Sequence, residues 1–304
     1  MQLRAVSIGK AVPRETFQAQ VRSVYESAVN LRLADEDRLL TVFLSDENEL
    51  PQGIRISEEI PLRSLRVGLA VFTKGGILRF DSSPHSIDLR GAAVWKCPIP
   101  ELSAEMSTVF AIRSWSSAWA LLNEKQRRRK TEIIAGEIFQ SNSGTPLNRK
   151  IGPPIMRLLD AAVQFDNEGA FRAAEEMIGL GPGVTPSGDD ILLGFLAGLW
   201  STAGEDQKKL SFIRSFGNMI MRLADRTSEI SRTYLHHATR GQFSSSLSNL
   251  AQAIAAGEDI KSTAESALRV GHSSGADSVT GLLIGLGVQN AGIRERIFES
   301  GNTR

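Results

Sequence analysis

The sequence predicts an α+β protein, with an antiparallel β-rich domain (a sheet or a small barrel) over residues 1–100 and an all-α domain over residues 101–304. Two observations support this fold class. Short β-type runs separated by turns fill the first part, where five prolines fall between residues 51 and 100 and disfavour alternating β-α units. After Pro100, apolar residues recur at helical spacing and strand-like alternation nearly disappears.

Strands are predicted where β-branched and aromatic residues form short runs between turn signals. Leu39–Leu44 is one such run, and a second, residues 65–73, turns at Lys74-Gly75-Gly76 into residues 77–80 as a hairpin. Residues 87–90 and 92–95 supply two further short strands. A single helix is predicted to interrupt this region around residues 17–28.

Helices are predicted throughout the second part of the chain. Residues 104–126 carry the apolar stripe of an amphipathic helix, with Trp115, Trp119 and Leu122 among its members. Further helices are expected near residues 131–140, 154–165, 168–178, 189–203, 208–226, 229–240, 245–256, 260–270, 275–290 and 291–299. Residues 141–146, Ser-Asn-Ser-Gly-Thr-Pro, are predicted to form a mobile loop.

Composition excludes several classes of partner. The 35 Lys and Arg residues balance 34 Asp and Glu residues, so no long-range field attracts nucleic acid or an anionic membrane. The basic run Arg127–Lys130 fits a solvated helix face. Cys97 is the only cysteine and cannot form an internal disulfide, and no signal peptide or membrane-length apolar run is present. We therefore expect a soluble cytoplasmic protein.

The most informative feature is a helix-start motif that occurs twice. The first copy follows the glycine-rich stretch 179–186, Gly-Leu-Gly-Pro-Gly-Val-Thr-Pro, and runs from Ser187 to Leu199. The second copy, Ser274–Leu286, aligns with it without a gap and is identical at seven of thirteen positions. The shared residues include the serine, the following glycine, an aspartate and two helix glycines.

The repeat has a purely structural interpretation. Ser187 with Asp190, and Ser274 with Asp277, both fit a capping box in which the serine is the N-cap residue. The paired helix glycines, Gly194 with Gly198 and Gly281 with Gly285, predict two helices that approach each other closely. On this interpretation the motif describes two well-capped core helices.

Capping does not account for the glycine-rich approach to the first helix, which predicts a functional site. Backbone N–H groups at glycines before a helix can cradle a phosphate or carboxylate, although no Walker A sequence is present. The candidate cradle consists of Gly181, Gly183, Thr185, Ser187 and Gly188. Asp190 and Asp277, with Asp189 beside them, form a candidate catalytic pair that would bind an amide nitrogen or Mg²⁺. No other cofactor is indicated.

Polar residues before the second helix and between the two copies complete the candidate site. His272 is the candidate proton donor or oxyanion partner, and Ser273 and Ser274 follow it. Thr227, Ser228 and Ser231 form a third polar cluster, which fits a helix corner or a ligand site equally well. The other histidines, His85, His236 and His237, have no zinc-type spacing and are predicted to be structural. Ser187 has no adjacent base and is not expected to be a nucleophile.

Three blocks together resemble the AllH/YlbF family: residues 179–190, Gly-Leu-Gly-Pro-Gly-Val-Thr-Pro-Ser-Gly-Asp-Asp; residues 227–231, Thr-Ser-Glu-Ile-Ser; and residues 271–277, Gly-His-Ser-Ser-Gly-Ala-Asp. The resemblance implies a subunit of oxamate carbamoyltransferase, which acts with two other protein subunits in purine breakdown. That enzyme exchanges carbamoyl phosphate and oxamate with oxalurate and phosphate. Val184 and Ala276 stand where the family pattern suggests a leucine and an aromatic residue, a difference that would alter pocket volume.

The sequence thus leaves three functions open. The first is a carbamoyl-transfer subunit that binds a small anion such as carbamoyl phosphate or oxamate and assembles with other subunits. The second is a Mg²⁺-dependent hydrolase of a phosphate- or ribose-bearing ligand. The third is a non-catalytic assembly subunit that senses a metabolite. Whether the isolated chain is an enzyme is not decided by the sequence.

Overall fold

The first part of the chain forms a closed β-barrel in the computed structural model, which describes residues 2–36, 38–44, 48–56, 64–140 and 144–299. The chain divides into two units, residues 1–97 and 98–304. The strands of the first unit are β1 (Gln2–Gly9), β2 (Gln18–Val24), β3 (Ala28–Leu33), β4 (Leu39–Leu44), β5 (Gly53–Ile56), β6 (Ala70–Lys74), β7 (Ile77–Phe80), β8 (Ser86–Asp88) and β9 (Ala93–Trp95).

Hydrogen-bonded neighbours follow the order β5-β4-β3-β2-β6-β7-β8-β1, and pairing of β1 with β5 closes the ring. Strand β9 adds to β1 beyond β8. Most pairings are antiparallel, as predicted, but β1–β8, β1–β9 and β4–β5 are parallel. The interior is apolar, with Val29, Leu31 and Ile54 fully buried. Closure pairs the backbone N–H and C=O groups that the edge strands of an open sheet would leave exposed.

The helix predicted around residues 17–28 is wrong. This segment forms β2 and the start of β3, and its burial alternates with a period of two: Ala19 and Val21 face the core, while Gln18 and Gln20 are exposed. A two-residue period fits a pleated strand and leaves no apolar stripe for a helix. The predicted Leu39–Leu44 strand is confirmed, as is the hairpin around Gly75 and Gly76, although its first strand begins only at Ala70.

The second unit is helical, as predicted, and begins with a 3-10 turn at Ile99–Glu101. Its helices are α1 (Val109–Arg129), α2 (Pro146–Gln164), α3 (Asn167–Met177), α4 (Ser187–Ala203), α5 (Gln207–Leu223), α6 (Glu229–Ala238), α7 (Ser245–Ala256), α8 (Ile260–Leu268), α9 (Ser274–Gly287) and α10 (Ala291–Glu299). None of these described helices is long and apolar enough to cross a membrane.

One helix prediction is wrong, and a second helix starts earlier than predicted. Residues 131–140 contain only a 3-10 turn at Ala135–Glu137, because side chains of α1 bind its backbone N–H groups. Gln126 Oε1 accepts from Ala135 N at 2.8 Å, and Asn123 Oδ1 accepts from Gly136 N at 2.6 Å. Helix α2 begins at residue 146, eight residues before its predicted start, with Thr145 as its N-cap residue. Of the predicted loop 141–146, residues 141–143 lie outside the described residues.

Helices α4 and α9 form the centre of this unit and contact each other through their glycines. A Cβ atom added at Gly194 would lie 1.9 Å from the Ser278 carbonyl oxygen, and one at Gly281 would lie 2.0 Å from that of Ile191. Farther along, Gly198 faces Gly285. Because both helices advance together along this contact, they run in the same direction and begin at the same end. The predicted close approach is confirmed.

Helix α1 packs against α9. The indole nitrogen of Trp115 donates to the Leu283 carbonyl at 2.8 Å, and Gln126, which is fully buried, donates from Nε2 to the Thr280 hydroxyl at 3.2 Å. These two bonds hold the middle and the second half of α9. Packing beyond the first turn of α9 therefore helps to fix the position of that turn.

We expect Gly281→Ala to destabilise the protein by about 3 kcal/mol, because the added methyl group would overlap a backbone carbonyl that cannot rotate away. Urea denaturation measures the free energy of unfolding. Gly292→Ala in α10 is the matched control, since its added Cβ meets only the Asn290 side chain, at 3.5 Å, and it should unfold no more easily than the parent. Equal stability of the Gly281→Ala variant and the parent would contradict close backbone packing.

Candidate functional site

The three sequence blocks meet at one end of the helical unit, where α4, α6 and α9 begin. Thr185, which precedes α4, is hydrogen-bonded to Ser274 at the start of α9, with their hydroxyl oxygens 2.6 Å apart. The Ser228 hydroxyl, before α6, donates to the Val184 carbonyl at 2.5 Å. The Ser228 hydroxyl oxygen also accepts from Ser231 N at 3.0 Å and so caps α6. These bonds hold the three helix starts together.

The predicted capping box is wrong in both copies. Ser187 and Ser274 are the first residues of their helices, and neither N-cap position, Pro186 or Ser273, makes a side-chain capping bond. The serine hydroxyls are therefore not used to satisfy the helix ends. Instead, each hydroxyl faces the aspartate of the other helix. The Ser274 hydroxyl lowers the pKa of Asp190 in α4, and the Ser187 hydroxyl lowers the pKa of Asp277 in α9.

The Asp189-Asp190 pair divides into two different environments. Asp189 is buried, and both of its oxygens accept hydrogen bonds: Oδ1 from Gly179 N at 2.8 Å and Oδ2 from the Thr227 hydroxyl. Burial raises the pKa of Asp189, while the Thr227, Gly179 and Ser231 donors oppose the rise. Asp189 thus joins the glycine-rich loop to the α6 approach.

Asp190 and Asp277 lie at equivalent positions of the two helices, and 5% and 1% of their surfaces are exposed. Asp190 Oδ2 and both Asp277 carboxyl oxygens form no hydrogen bond of good geometry among the described residues, although the hydroxyls of Thr185 and Ser274 lie near enough to Asp190, and those of Ser187 and Ser273 near enough to Asp277, to lower the pKa of each. An unpartnered buried carboxyl group is costly, and proteins rarely retain one without a ligand, a shared proton or a function. The two aspartates are therefore the chemically unsatisfied part of this cluster.

The surroundings of Asp190 and Asp277 favour the protonated form of their carboxyl groups. Burial raises the pKa of Asp190 well above its ordinary value, and the charge of Asp277 raises it further. Burial raises the pKa of Asp277 to about 7; Ser187 and Ser273 oppose this rise and the charge of Glu132 adds to it. The pair therefore favours a state that keeps at least one proton near neutral pH.

The remaining predicted residues surround this pair in different ways. Gly181 has φ +113° and packs against Ser187, while Gly183, with φ +96°, is exposed and has open space around it. Gly188 is buried and its N–H donates to the Leu180 carbonyl at 2.9 Å, so that donor of the predicted cradle is occupied. Ser231 is buried, and its hydroxyl faces the Asp189 carboxyl group, whose pKa it lowers.

His272 lies in the turn before α9 and is exposed. The other histidines are elsewhere: His85 precedes β8, and His236 and His237 lie in the last turn of α6. Of the two positions that depart from the family pattern, Val184 is exposed and Ala276 is buried.

Two charged residues beside the glycine-rich loop were not predicted from the sequence. Glu132 and Lys150 line a cavity beside Gly181, and Glu132 acts electrostatically on Asp277. Both precede the motifs by at least 29 residues, so motif spacing could not find them. The only available signal was Thr145-Pro146, a favourable N-cap and first-turn proline that would have placed Lys150 in the first turns of a helix.

A metal site would need ligands beyond this pair. Among the described residues, no group of three or more His, Cys, Asp or Glu side chains is arranged to hold a metal ion. Asp190 and Asp277 could supply two carboxylates, and a bound Mg²⁺ would complete its coordination with water and ligand oxygens.

The raised pKa of Asp277 predicts a specific pH dependence of stability. Between about pH 4 and about pH 7 the folded protein keeps a proton that the unfolded chain has lost, so this residue's contribution falls as pH rises. Asp277→Asn removes the titration. The free energy of unfolding of the variant, minus that of the parent, should increase through this window by on the order of 1 kcal/mol per pH unit.

Asp206→Asn is the control of opposite sign. Backbone N–H groups of Lys209 and Lys208 lower the pKa of Asp206, so its contribution is present at neutral pH and is lost as the pH falls through the acid range. Urea denaturation across both windows measures the two slopes. A parent and an Asp277→Asn variant with parallel pH profiles would show that Asp277 titrates normally.

Comparison with protein families covers both units. Residues 4–94 match the AllH family N-terminal domain. Residues 177–286, which contain all three sequence blocks, match the family described as oxamate carbamoyltransferase subunit AllH. No solved structure matches the chain. Because the two matches together cover more than half of the sequence, the chain belongs to the AllH family.

Proposed function

We propose that the chain is a subunit of a carbamoyl-transfer enzyme and that a small anionic or phosphate-bearing ligand binds where α4 and α9 begin. One observation carries the proposal: two matching helix starts each bury an aspartate with unpartnered carboxyl oxygens. A fold selected for stability alone would satisfy or replace such groups, because each costs about 1–3 kcal/mol or more. Displaced pKa values of this kind are typical of functional sites.

The groups around the pair suit a small acid that carries an amide. Oxamate, named in the family description, joins a carboxylate to an amide. An ionised aspartate accepts hydrogen bonds from an amide nitrogen, whereas a protonated aspartate can donate to a carboxylate or phosphate oxygen. The hydroxyls of Thr185 and Ser274 are hydrogen-bonded to each other, which leaves one of their two protons for another acceptor beside the pair. A pair that carries one proton can therefore both accept a hydrogen bond from an amide nitrogen and donate one to an oxygen of the reacting group.

The transfer itself requires one proton to move. The oxamate nitrogen forms a bond to the carbamoyl carbon, the bond from that carbon to the phosphate oxygen breaks, and the nitrogen loses a proton. A carboxylate whose pKa lies near 7, as for Asp277, is well matched to accept that proton at neutral pH. Asp190, in its neutral form, would donate to the oxygen on which negative charge develops. His272, exposed before α9, would exchange the proton with solvent.

Positioning also contributes to the proposed reaction. The glycine contacts between α4 and α9 hold the two aspartates on rigid elements, so little reorganisation is needed when the reactants bind. The family description names a subunit, and we accordingly propose activity for the assembled enzyme, formed with other protein subunits.

The test is to assemble the chain with its partner subunits and to measure conversion of oxamate and carbamoyl phosphate. Asp190→Asn and Asp277→Asn should each lower turnover by about 100-fold or more, because proton transfer and charge stabilisation are typically worth this much. Measurements with added Mg²⁺ and with a chelator show whether the pair acts with a metal ion.

Asp160→Asn, on an exposed position of α2, is the matched control and should leave turnover unchanged. Assembly must be intact in every variant, as judged by co-elution of the subunits. Full activity of both aspartate variants within an intact assembly would reject a catalytic site here and leave a purely structural or sensing role for this chain.

A further inference from the structure

A cavity of about 320 Å³ opens beside the start of α4, at a place that no sequence motif marks. It lies between the first turns of α2, the segment before the Ala135–Glu137 turn and the glycine-rich loop. Its lining combines apolar and charged groups, among them Glu132, Lys150, Leu180, Gly181 and Pro182. The volume equals that of about ten water molecules, which is ample for a small organic acid.

Two residues of the cavity wall, Glu132 and Gly181, relate the cavity to Asp277. Glu132, on the cavity wall, lies near enough for its charge to raise the pKa of that aspartate. Gly181, also on the wall, packs against Ser187, and a Cβ atom at Gly181 would approach Ser187 N to 2.9 Å. Ser187 in turn acts on Asp277. The cavity wall thus includes one residue that acts on Asp277 directly and one that contacts Ser187, which acts on Asp277 in turn.

The cavity presents one cation and one anion. Lys150 is exposed on α2, and Glu132 is exposed before the Ala135–Glu137 turn. Within the part of the chain that the structure describes, neither side chain forms an ion pair. Thr145, also in the lining, is already used: its hydroxyl accepts from Asn148 N at 3.0 Å and donates to the Glu132 carbonyl. The two charged side chains therefore remain available to a ligand.

We infer that this cavity binds the ligand, with Lys150 holding its carboxylate or phosphate and Glu132 accepting from its amide nitrogen. The inference rests on the proposed function and extends it by naming the residues that recognise the substrate. An ammonium group favours either anion, whereas a carboxylate opposite it favours a neutral N–H donor over a second anion. The ligand class is thus a small acid that carries an amide or carbamoyl group.

Calorimetric titration of the full chain tests this assignment with oxamate, carbamoyl phosphate and pyruvate as probes. Pyruvate has the shape of oxamate but a methyl group in place of the amide NH₂. Lys150→Met should weaken oxamate and carbamoyl phosphate about tenfold or more and reduce the salt dependence of binding, whereas Lys150→Arg should retain most of the affinity. Glu132→Met should abolish the preference for oxamate over pyruvate.

Lys261→Met, which removes an exposed lysine from α8, is the matched control and should bind like the parent. Parent-like binding by Lys150→Met, together with loss of binding by Asp277→Asn, would overturn the cavity assignment and leave the proposed function standing. Absence of binding of all probes by the parent chain, with turnover unaffected by the aspartate variants, would overturn both. Far-UV circular dichroism checks that each variant is folded.

Discussion

The close approach of α4 and α9 is the constraint on which the rest of the helical unit depends. Their glycines let backbone meet backbone, and a single added methyl group at Gly194 or Gly281 would overlap a carbonyl oxygen. This contact aligns the two helices in one direction and brings their first turns together. The reciprocal arrangement follows, in which the serine of each copy acts on the aspartate of the other. Neither copy alone would form it.

The same region holds two adjacent aspartates in different hydrogen-bonding environments. Asp189 has both oxygens occupied and ties the glycine-rich loop to Thr227, whereas its neighbour Asp190 keeps an unpartnered oxygen. Adjacent residues on a helix point about 100° apart, so two aspartates in a row serve two different purposes. The loop can therefore be held rigidly without consuming the group that faces α9.

The sequence predicted the fold class, most helices and the family, because these depend on periodicity and on local motifs. It failed where tertiary contacts override local preference: Asn123 and Gln126 satisfy the backbone at Ala135 and Gly136 and prevent a helix there. The capping boxes predicted at Ser187 and Ser274 were also wrong. A serine three residues before an aspartate is the same sequence pattern whether its hydroxyl caps its own helix or faces another one. Lys150 and Glu132 adjoin the motifs only in space, so no pattern along the chain reveals them.

The parallel course of α4 and α9 has an electrostatic consequence. Every α-helix carries a dipole equivalent to roughly half a positive charge at its N-terminus, and two helices that begin side by side place these partial charges next to each other. The two partial positive charges repel each other. Because the raised pKa values of Asp190 and Asp277 favour retention of a proton, the negative charge of the pair neutralises this repulsion only in part. An anion bound at this end, as we propose, would lower this repulsion as well as gain its own contacts. Its binding would then also stabilise the fold.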